Sequence, residues 1–267
     1  MERIGVYSDS SFSRDAEEFV KRNFSRHLSR NWFLLKSFIS SFLPPFMSRD
    51  RNVPFFISPS NACHEQDLAN VKATIRQRGV KKEELSLVVF DYHTDMYRGT
   101  GCRVKRNGKE ELHMSNWILH MIEEGFTDIS LVGVGDFLHT DSDIDERWYG
   151  KYGGVVSYFV SDNIDLGQFE NRDGLELRSM AEFKEKELRD YSFVSLDCDV
   201  SNSIAHERRN MADEFLYGPR GTVALTQIED SLGYVGHRSD LIGVSFYCID
   251  DLLSSSPDRL EGLLEFT

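Results

Sequence analysis

The sequence predicts an α/β fold built on a mostly parallel sheet with helices on both faces. Short apolar runs rich in β-branched and aromatic residues recur along the chain. Most of them are apolar at successive positions, as strands buried on both faces are. Segments with helical spacing lie between several of these runs, and this alternation is typical of parallel sheets. Such sheets bind ligands at the carboxyl ends of their strands, so the residues that follow each run are the candidate site residues.

The apolar runs that predict strands are Arg3–Tyr7, Val53–Ser58, Leu85–Phe90, Ile129–Val134, Val155–Val160, Tyr191–Leu196 and Leu241–Ile249. The segments that predict helices are Asp67–Gln77, Leu112–Glu124 and the strongly charged Leu175–Arg189. The third helix is predicted from its apolar positions, which are Leu177, Met180, Phe183 and Leu188.

Composition excludes several classes of protein. The chain has 267 residues, with 31 basic and 44 acidic side chains and a net charge of −13. Hydrophobic residues make up 40%, which is typical of a globular protein able to bury a sizeable core. The acid excess argues against a chain-wide surface for nucleic acid or anionic membrane. We therefore expect neither partner.

The N-terminal residues and the cysteines indicate the cellular compartment of the protein. The first residues lack the apolar stretch of a secretory signal, and no uncharged apolar run is long enough to span a bilayer. The cysteines are far apart and form no CxxC pair, which is typical of a reducing compartment and argues against a zinc finger; they are Cys63, Cys102, Cys198 and Cys248. The sequence therefore predicts a cytoplasmic protein.

One segment departs from the α/β pattern. Residues 11–52 contain eight basic and four acidic side chains, a net charge of +4 that leaves −17 on the rest of the chain. The segment is also rich in Phe and Trp and ends near Pro44-Pro45. We expect a helical insertion at about 11–52 that packs its aromatic face on a single domain covering 1–267. A subunit contact, a lid over the site and a membrane-surface role are the alternatives.

Acidic residues and histidines follow three of the predicted strands. The run Leu85–Phe90 is followed by Asp91, His93 and Asp95, and Tyr191–Leu196 by Asp197 and Asp199. His64 comes a few residues after Val53–Ser58. Alternating positions on an extended chain project to one side, so each motif can direct its side chains into one small volume. Clustered, desolvated carboxylates repel one another unless a cation lies between them.

Each motif also has a structural interpretation. A single DxD after a strand is commonly a turn or a helix cap, and a single loop histidine is commonplace. The three motifs together indicate a dinuclear metal site. Four carboxylates and two imidazoles suit a pair of Mn²⁺ ions, whereas Zn²⁺ usually takes more His or Cys. Other divalent transition metals are possible.

These motifs resemble those of the ureohydrolase family, which includes arginase, agmatinase and formimidoylglutamase. Residues 91–95 (DYHTD) are similar to the family's DAHxD, and 195–199 (SLDCD) to its SxDxD. Cys63-His64-Glu65 lies where the family has GGxHS, and 223–229 (VALTQIE) is similar to GGLTxxE. The resemblance covers about residues 53–250 in the family's order, and it identifies the chain as a divergent member. It implies a three-layer α/β/α domain of the arginase type.

The resemblance also implies roles for individual residues. One Mn²⁺ would be held by His64, Asp91, Asp95 and Asp197, and the other by Asp91, His93, Asp197 and Asp199. A hydroxide shared by the two ions would attack a planar carbon that bears nitrogen. Asp95 would pass the proton to the leaving nitrogen. His113, predicted to open a helix, would relay protons between the site and solvent, although it can equally be a helix-terminal residue without a role.

Two departures from the family pattern concern the substrate. Asn202 stands where SxDxDxxDP has its last Asp, and Cys248 where guanidine-hydrolysing members have a glutamate that binds the substrate cation. Asp250, two residues further on, is the candidate replacement. Cys248 can also be a buried small residue.

The sequence therefore predicts a dinuclear Mn-dependent hydrolase. It would cleave a C–N bond of an amidino, guanidino, formimidoyl or related amide compound, so its partner is a small nitrogenous substrate. The alternative is a metal-binding protein of the same fold without hydrolase activity. A third hypothesis is that the basic segment 11–52 binds nucleic acid. The acidity of the rest of the chain argues against it. The resemblance alone implies a homo-oligomer, a trimer or hexamer.

Overall fold

The structure is a computed structural model that describes residues 5–7, 53, 55–57, 61–97, 111–135, 151–160, 166, 176–200 and 223–247. The predicted insertion at 11–52 lies outside these residues. Within the described ranges, no helix combines the length and the apolar character needed to cross a membrane.

An eight-stranded sheet forms the centre of the fold. Its strands are β1 (Gly5–Tyr7), β2 (Phe55–Ile57), β3 (Leu85–Phe90), β4 (Ile129–Val132), β5 (Val156–Val160), β6 (Leu177–Ser179), β7 (Tyr191–Asp197) and β8 (Asp240–Tyr247). Their order is β1-β2-β8-β7-β3-β4-β5-β6. Only the β1–β2 pair is antiparallel, and every other pair described is parallel. This confirms the predicted α/β class with a mostly parallel sheet.

Helices cover both faces of the sheet. The α-helices are α1 (Asp67–Arg78), α2 (Trp117–Glu123) and α3 (Leu225–Arg238). α1 and α2 share one core with alternate residues of the central strands, such as Leu87 and Val89. Phe90, the residue after Val89, points to the other face, where it meets Phe183, which also contacts α3 through Tyr234. All residues of β3 are therefore buried, which is why its sequence is continuously apolar rather than alternating.

The chain changes direction between β3 and β7. From β3 it continues through β4, β5 and β6 on one side, then returns to β7 on the other side and continues to β8. In open parallel sheets, the crevice at such a switch point lies beyond the carboxyl ends of the two strands. The residues after β3 and β7 are therefore brought together by the topology.

Two helix predictions need correction. The helix predicted over Leu175–Arg189 is wrong, because its first part is the edge strand β6 and Met180–Glu185 is a 3-10 helix. Met180 and Phe183 are buried three residues apart, which is the period of a 3-10 helix and close to that of an α-helix. The helix predicted over Leu112–Glu124 begins only at Trp117, because Asn116 hydrogen-bonds to the backbone of residues 111 and 113 and forms a turn instead.

Replacing Phe183 tests the second core face. Its ring lies 5.2 Å from that of Phe159 and 5.7 Å from that of Tyr234, and it is fully buried. Phe183→Ala should lower the free energy of unfolding by about 3–5 kcal/mol, because the cavity lies between a strand and a helix. Urea denaturation measures this loss. Lys184→Ala is the control: its exposed ion pair with Asp230 contributes at most ~1 kcal/mol, and an equal effect of both variants would contradict the assignment.

Candidate metal centre

The pairing of β3 with β7 brings the two acidic motifs together. Phe90 lies opposite Leu196 in the parallel register, so Asp91 and Asp197 occupy the next positions on adjacent strands. Both carboxylates are almost fully buried. The end of β4 lies at the same edge, since the Asp91 N–H donates to the carbonyl of Val132, the last residue of β4, at 3.1 Å. The carboxyl ends of three neighbouring strands therefore surround this point.

The two motifs share a local structure. Asp91 Oδ1 accepts the His93 backbone N–H at 2.7 Å, and Asp197 Oδ1 accepts the Asp199 N–H at 3.1 Å. Each first aspartate thus forms an Asx turn with the residue two positions on. The expectation that positions 91, 93 and 95 alternate along a continuing strand is wrong. The chain leaves β3 after Phe90, and Asp95 adopts the left-handed conformation with a φ of 49°.

The first donor group contains His64, Asp91 and Asp95, and all three side chains are buried. His64 lies on the 3-10 helix Asn61–Gln66, which follows β2. Its Nδ1 is 3.0 Å from Asp95 Oδ2 and 3.3 Å from Asp91 Oδ2. One imidazole nitrogen and two carboxylate oxygens thus converge from two separate segments of the chain.

The far side of the His64 ring is also fixed. Its Nε2 lies 3.0 Å from the hydroxyl of Ser195 on β7. In the neutral tautomer with the proton on Nε2, the ring donates to Ser195 and directs the Nδ1 lone pair at the carboxylates, as a metal ligand requires. Trp117 and Tyr247 hold the ring from its sides, with centroid distances of 4.8 and 4.5 Å.

The second donor group contains Asp91, His93 and Asp199. His93 Nδ1 is 3.2 Å from Asp199 Oδ2 and 3.5 Å from Asp91 Oδ1. Asp91 belongs to both groups, with Oδ2 facing His64 and Oδ1 facing His93. The His93 side chain is 21% exposed against 2% for His64, so this half of the cluster is the more open one.

Asp197 lies beside the first group. Its Oδ2 is 3.8 Å from His64 Nδ1, but it completes neither of the two three-residue groups. The structure therefore brings the six side chains that the sequence singled out close together, but Asp197, which the resemblance places in both ligand sets, belongs to neither three-residue group. That Asp91 and Asp197 both bridge two ions remains a prediction.

The cluster's charges shift the pKa values of its members. Burial opposes the charged form of His64, but the hydrogen bond to Asp95 and the charges of Asp95, Asp91 and Asp197 outweigh it and raise its pKa to about 10. Burial likewise opposes the charge of His93, and Asp199 and Asp91 raise its pKa well above the usual value. Burial and repulsion from Asp95 and Asp199 raise the pKa of Asp91.

The residues present suit a pair of divalent cations. The carboxylates are close and desolvated, and without a metal their charges are only partly offset by the two imidazoles, whose pKa values are raised. In each group, the donor atoms lie within 4.8 Å of one another, and the donors are one imidazole nitrogen and two carboxylate oxygens. A mixed oxygen and nitrogen set without sulfur is typical of Mn²⁺ and similar divalent metals.

A buried network behind His64 was missed by sequence reasoning. Asp67, fully buried at the start of α1, accepts hydrogen bonds from Ser245 Oγ at 2.7 Å and Tyr247 OH at 2.6 Å. Asn70 also donates to it at 3.2 Å. The network fixes the first turn of α1, and with it the 3-10 helix that carries His64, to the end of β8. An acid in the first turn of a helix is usually explained by its favourable interaction with the helix dipole, so this role could not be recognised from the sequence.

Tyr92 explains one departure from the family motif. The Tyr92 ring is buried where DAHxD has alanine, and its hydroxyl donates to the Gly135 carbonyl at 3.1 Å. Gly135 faces the ring so closely that a Cβ there would lie 2.3 Å from Tyr92 Cε2. The backbone adds a further link, from Gly135 N–H to Tyr92 O at 3.0 Å. The larger side chain is thus accommodated by a glycine and ties the DxHxD loop to the loop after β4.

The remaining candidate residues have mixed outcomes. His113 lies in the turn before α2 instead of opening the helix, and its Nδ1 accepts the Ser115 backbone N–H at 3.3 Å. That leaves Nε2 to carry the proton in the neutral ring. The segment of His113 is joined to the chain just after Asp95, because Tyr97 N–H donates to the Ser115 carbonyl at 2.8 Å. The substrate-binding candidates Asn202, Cys248 and Asp250 lie outside the described residues.

Glu65 is an acid to which the sequence analysis assigns no role. It directly follows His64, and among the described residues its Oε2 is buried with no hydrogen-bond partner. Burial raises the pKa of its carboxyl group, against the opposing charges of His113 and His64. A partly buried carboxylate at this position adds to the negative charge around the cluster.

Comparisons with known proteins found similar structures but no sequence match. No protein-family model matches the chain, and neither does any curated protein. A hypothetical agmatinase from Burkholderia thailandensis is 14% identical over 76% of this chain and 53% of its own, with a TM-score of 0.42. A provisionally named agmatinase from Clostridium difficile is 15% identical over 86% of this chain and 72% of its own, with a TM-score of 0.43.

Helicobacter pylori arginase is 13% identical over 90% of this chain and 78% of its own, with a TM-score of 0.39. This chain thus spans about half of the Burkholderia structure and more of the other two. The case for function accordingly rests on the residues of the cluster.

The contact between Gly135 and Tyr92 predicts a compensating pair of substitutions. Gly135→Ala should destabilise the protein by about 1–3 kcal/mol, because the new methyl group displaces the Tyr92 ring. Tyr92→Ala in the same chain removes the clash, so the double variant should lose less stability than the two single losses combined. Denaturation of the four proteins measures the coupling, and strictly additive losses would contradict this packing.

Metal binding should release protons. The pKa of His64 is raised to about 10, so this imidazole holds a proton at pH 7 in the metal-free protein, and the raised pKa values of His93 and Asp91 favour protons there too. A metal must displace the protons on its ligands, so we expect net proton release near pH 7 and an affinity for Mn²⁺ that falls as the pH is lowered.

Calorimetry in buffers of different ionisation enthalpy measures the release. His237→Gln, at an exposed position of α3, is the control and should leave it unchanged. Stoichiometric binding without proton release would show that the imidazoles are not ligands.

Proposed function

We propose that this chain is a metal-dependent hydrolase that uses two Mn²⁺ ions to cleave a non-peptide C–N bond. The observation that carries the proposal is the pair of buried donor groups that share Asp91 at the carboxyl ends of β3 and β7. His64, Asp91 and Asp95 would hold one ion, and Asp91, His93 and Asp199 the other. Asp197, beside His64, would complete the set.

Two bound Mn²⁺ ions would supply Lewis-acid chemistry, lowering the pKa of a shared water and polarising the substrate. The chain's residues hold this site in place: the Ser195 hydroxyl fixes the orientation of the His64 ring, and the Asx turns fix Asp91 and Asp197. In the overall reaction, an oxygen of water bonds to the planar carbon, the C–N bond breaks and the leaving nitrogen takes a proton. Asp95 is the proposed carrier of that proton, and His113 the relay to solvent.

The resemblance and one nearby acid support the proposed substrate class. An amidino, guanidino or formimidoyl group is planar and cationic, and Glu65 is a partly buried acid next to the cluster that is not among the proposed metal ligands. Asp250, Cys248 and Asn202 are proposed to contact the substrate at the open side. A related amide compound would use the same chemistry without the charge.

A panel of Mn-loaded assays tests the proposal. Arginine, agmatine, formimidoyl compounds and simple amides are incubated with the protein, and urea, ammonia and formamide are measured. We expect turnover of at least one member. Asp95→Asn, assayed at saturating Mn²⁺, should lose a factor of roughly 10²–10⁴ in kcat, while Asp230→Asn on the surface of α3 should be unchanged.

The second candidate is a metal-binding protein of the same fold without hydrolase activity. One observation favours it: the Asp95 oxygen nearest His64 already accepts the Trp117 indole N–H, so this carboxylate is partly engaged. Stoichiometric Mn²⁺ binding with no turnover across the panel would support this candidate against the hydrolase. Full activity in Asp95→Asn would contradict the role proposed for Asp95.

A further inference from the structure

Trp117 makes a direct hydrogen bond to a proposed metal ligand. It is the first residue of α2 and is completely buried. Its Nε1 donates to Asp95 Oδ2 at 2.6 Å, and the same oxygen lies 3.0 Å from His64 Nδ1. We propose that Trp117 is a positioning residue that holds the Asp95 carboxylate in place for the metal subsite on the His64 side.

Asp95 needs such a restraint because of its backbone. It is the only non-glycine residue with a positive φ among the described residues, in a loop that has left β3. Its own carbonyl accepts the Ile118 backbone N–H at 3.3 Å. The start of α2 therefore holds Asp95 twice, through the main chain and through the Trp117 side chain. Without the second contact, the carboxylate would be restrained by His64 alone among the described side-chain contacts, and a bound metal would compete for that imidazole.

The indole is chemically suited to this task. Its N–H can only donate, it carries no charge, and it does not compete for a cation. It therefore occupies one lone pair of one carboxylate oxygen and leaves the remaining lone pairs of Asp95 available to a cation. The same ring lies 4.8 Å from the His64 ring. Trp117 therefore contacts His64 and Asp95, the two residues that form this subsite together with Asp91.

The restraint is confined to one subsite. In the described residues, the other group is supported by backbone N–H groups, with His93 N donating to Asp91 Oδ1 at 2.7 Å and Tyr92 N to Asp199 Oδ1 at 3.5 Å. None of the interactions described for this cluster joins Trp117 to His93 or Asp199. Loss of the indole N–H should therefore weaken the binding of one of the two ions and leave the affinity for the other unchanged.

The test separates the N–H from the bulk of the ring. The chain has three tryptophans, so a Trp32→Phe/Trp148→Phe protein retains only Trp117 and serves as the matched reference. Produced in a tryptophan auxotroph, the same protein can carry benzothienylalanine at 117, which has the shape of tryptophan but no N–H. Trp117→Phe in the natural background is the second variant. The measured quantity is the Kd of each Mn²⁺ ion, from calorimetry and from the EPR signal of free Mn²⁺.

The inference rests on the proposed metal site, and the reference protein tests that site separately by binding two Mn²⁺ ions per chain. We expect both proteins without the N–H to bind one ion about 10- to 100-fold more weakly, the usual effect of losing a group that orients a ligand. The Kd of the other ion should change less than about twofold. Unchanged affinity in the benzothienylalanine protein would overturn the inference, since ring packing alone would then suffice. Equal weakening of both ions would also overturn it.

Discussion

The pairing of β3 with β7 is the constraint on which the site depends. Their parallel register sets Phe90 opposite Leu196, so Asp91 and Asp197 emerge side by side from the buried centre of the sheet. Two carboxylates in that position are costly without a counter-charge. The surrounding structure supplies positive partners, His64 from the segment after β2 and His93 from the loop after β3. The cluster is thus a consequence of where the strands end, and its charge creates the demand for a cation.

The central strands could be predicted because burial on both faces makes their sequences continuously apolar. Leu85–Phe90 has the predicted bounds, and Tyr191–Asp197 extends the predicted run by one residue. The segment 175–189 could not be assigned correctly, because buried residues three apart fit two kinds of helix and the edge strand β6 has only three residues. The helix α3 was not predicted from its own sequence at all. Short elements at the periphery are decided by tertiary contacts, which a local pattern does not contain.

The six residues of the cluster were identified from sequence, but not the geometry that brings them together. Asx turns and a left-handed Asp95 replace the alternation expected of a continuing strand. The supporting residues were not foreseen, because Ser195, Asp67 and Trp117 are ordinary residues of a strand and two helices until their partners are known. Their roles depend on contacts between segments distant in the chain. The motif specifies the ligands, whereas the fold specifies how tightly they are held.

We propose that this cluster binds two metal ions that share Asp91. An anomalous difference map from crystals grown with Mn²⁺ tests this directly. We expect two peaks, one among His64, Asp91 and Asp95 and the other among Asp91, His93 and Asp199. A single peak, or Mn²⁺ bound away from Asp91 with the cluster empty, would contradict it.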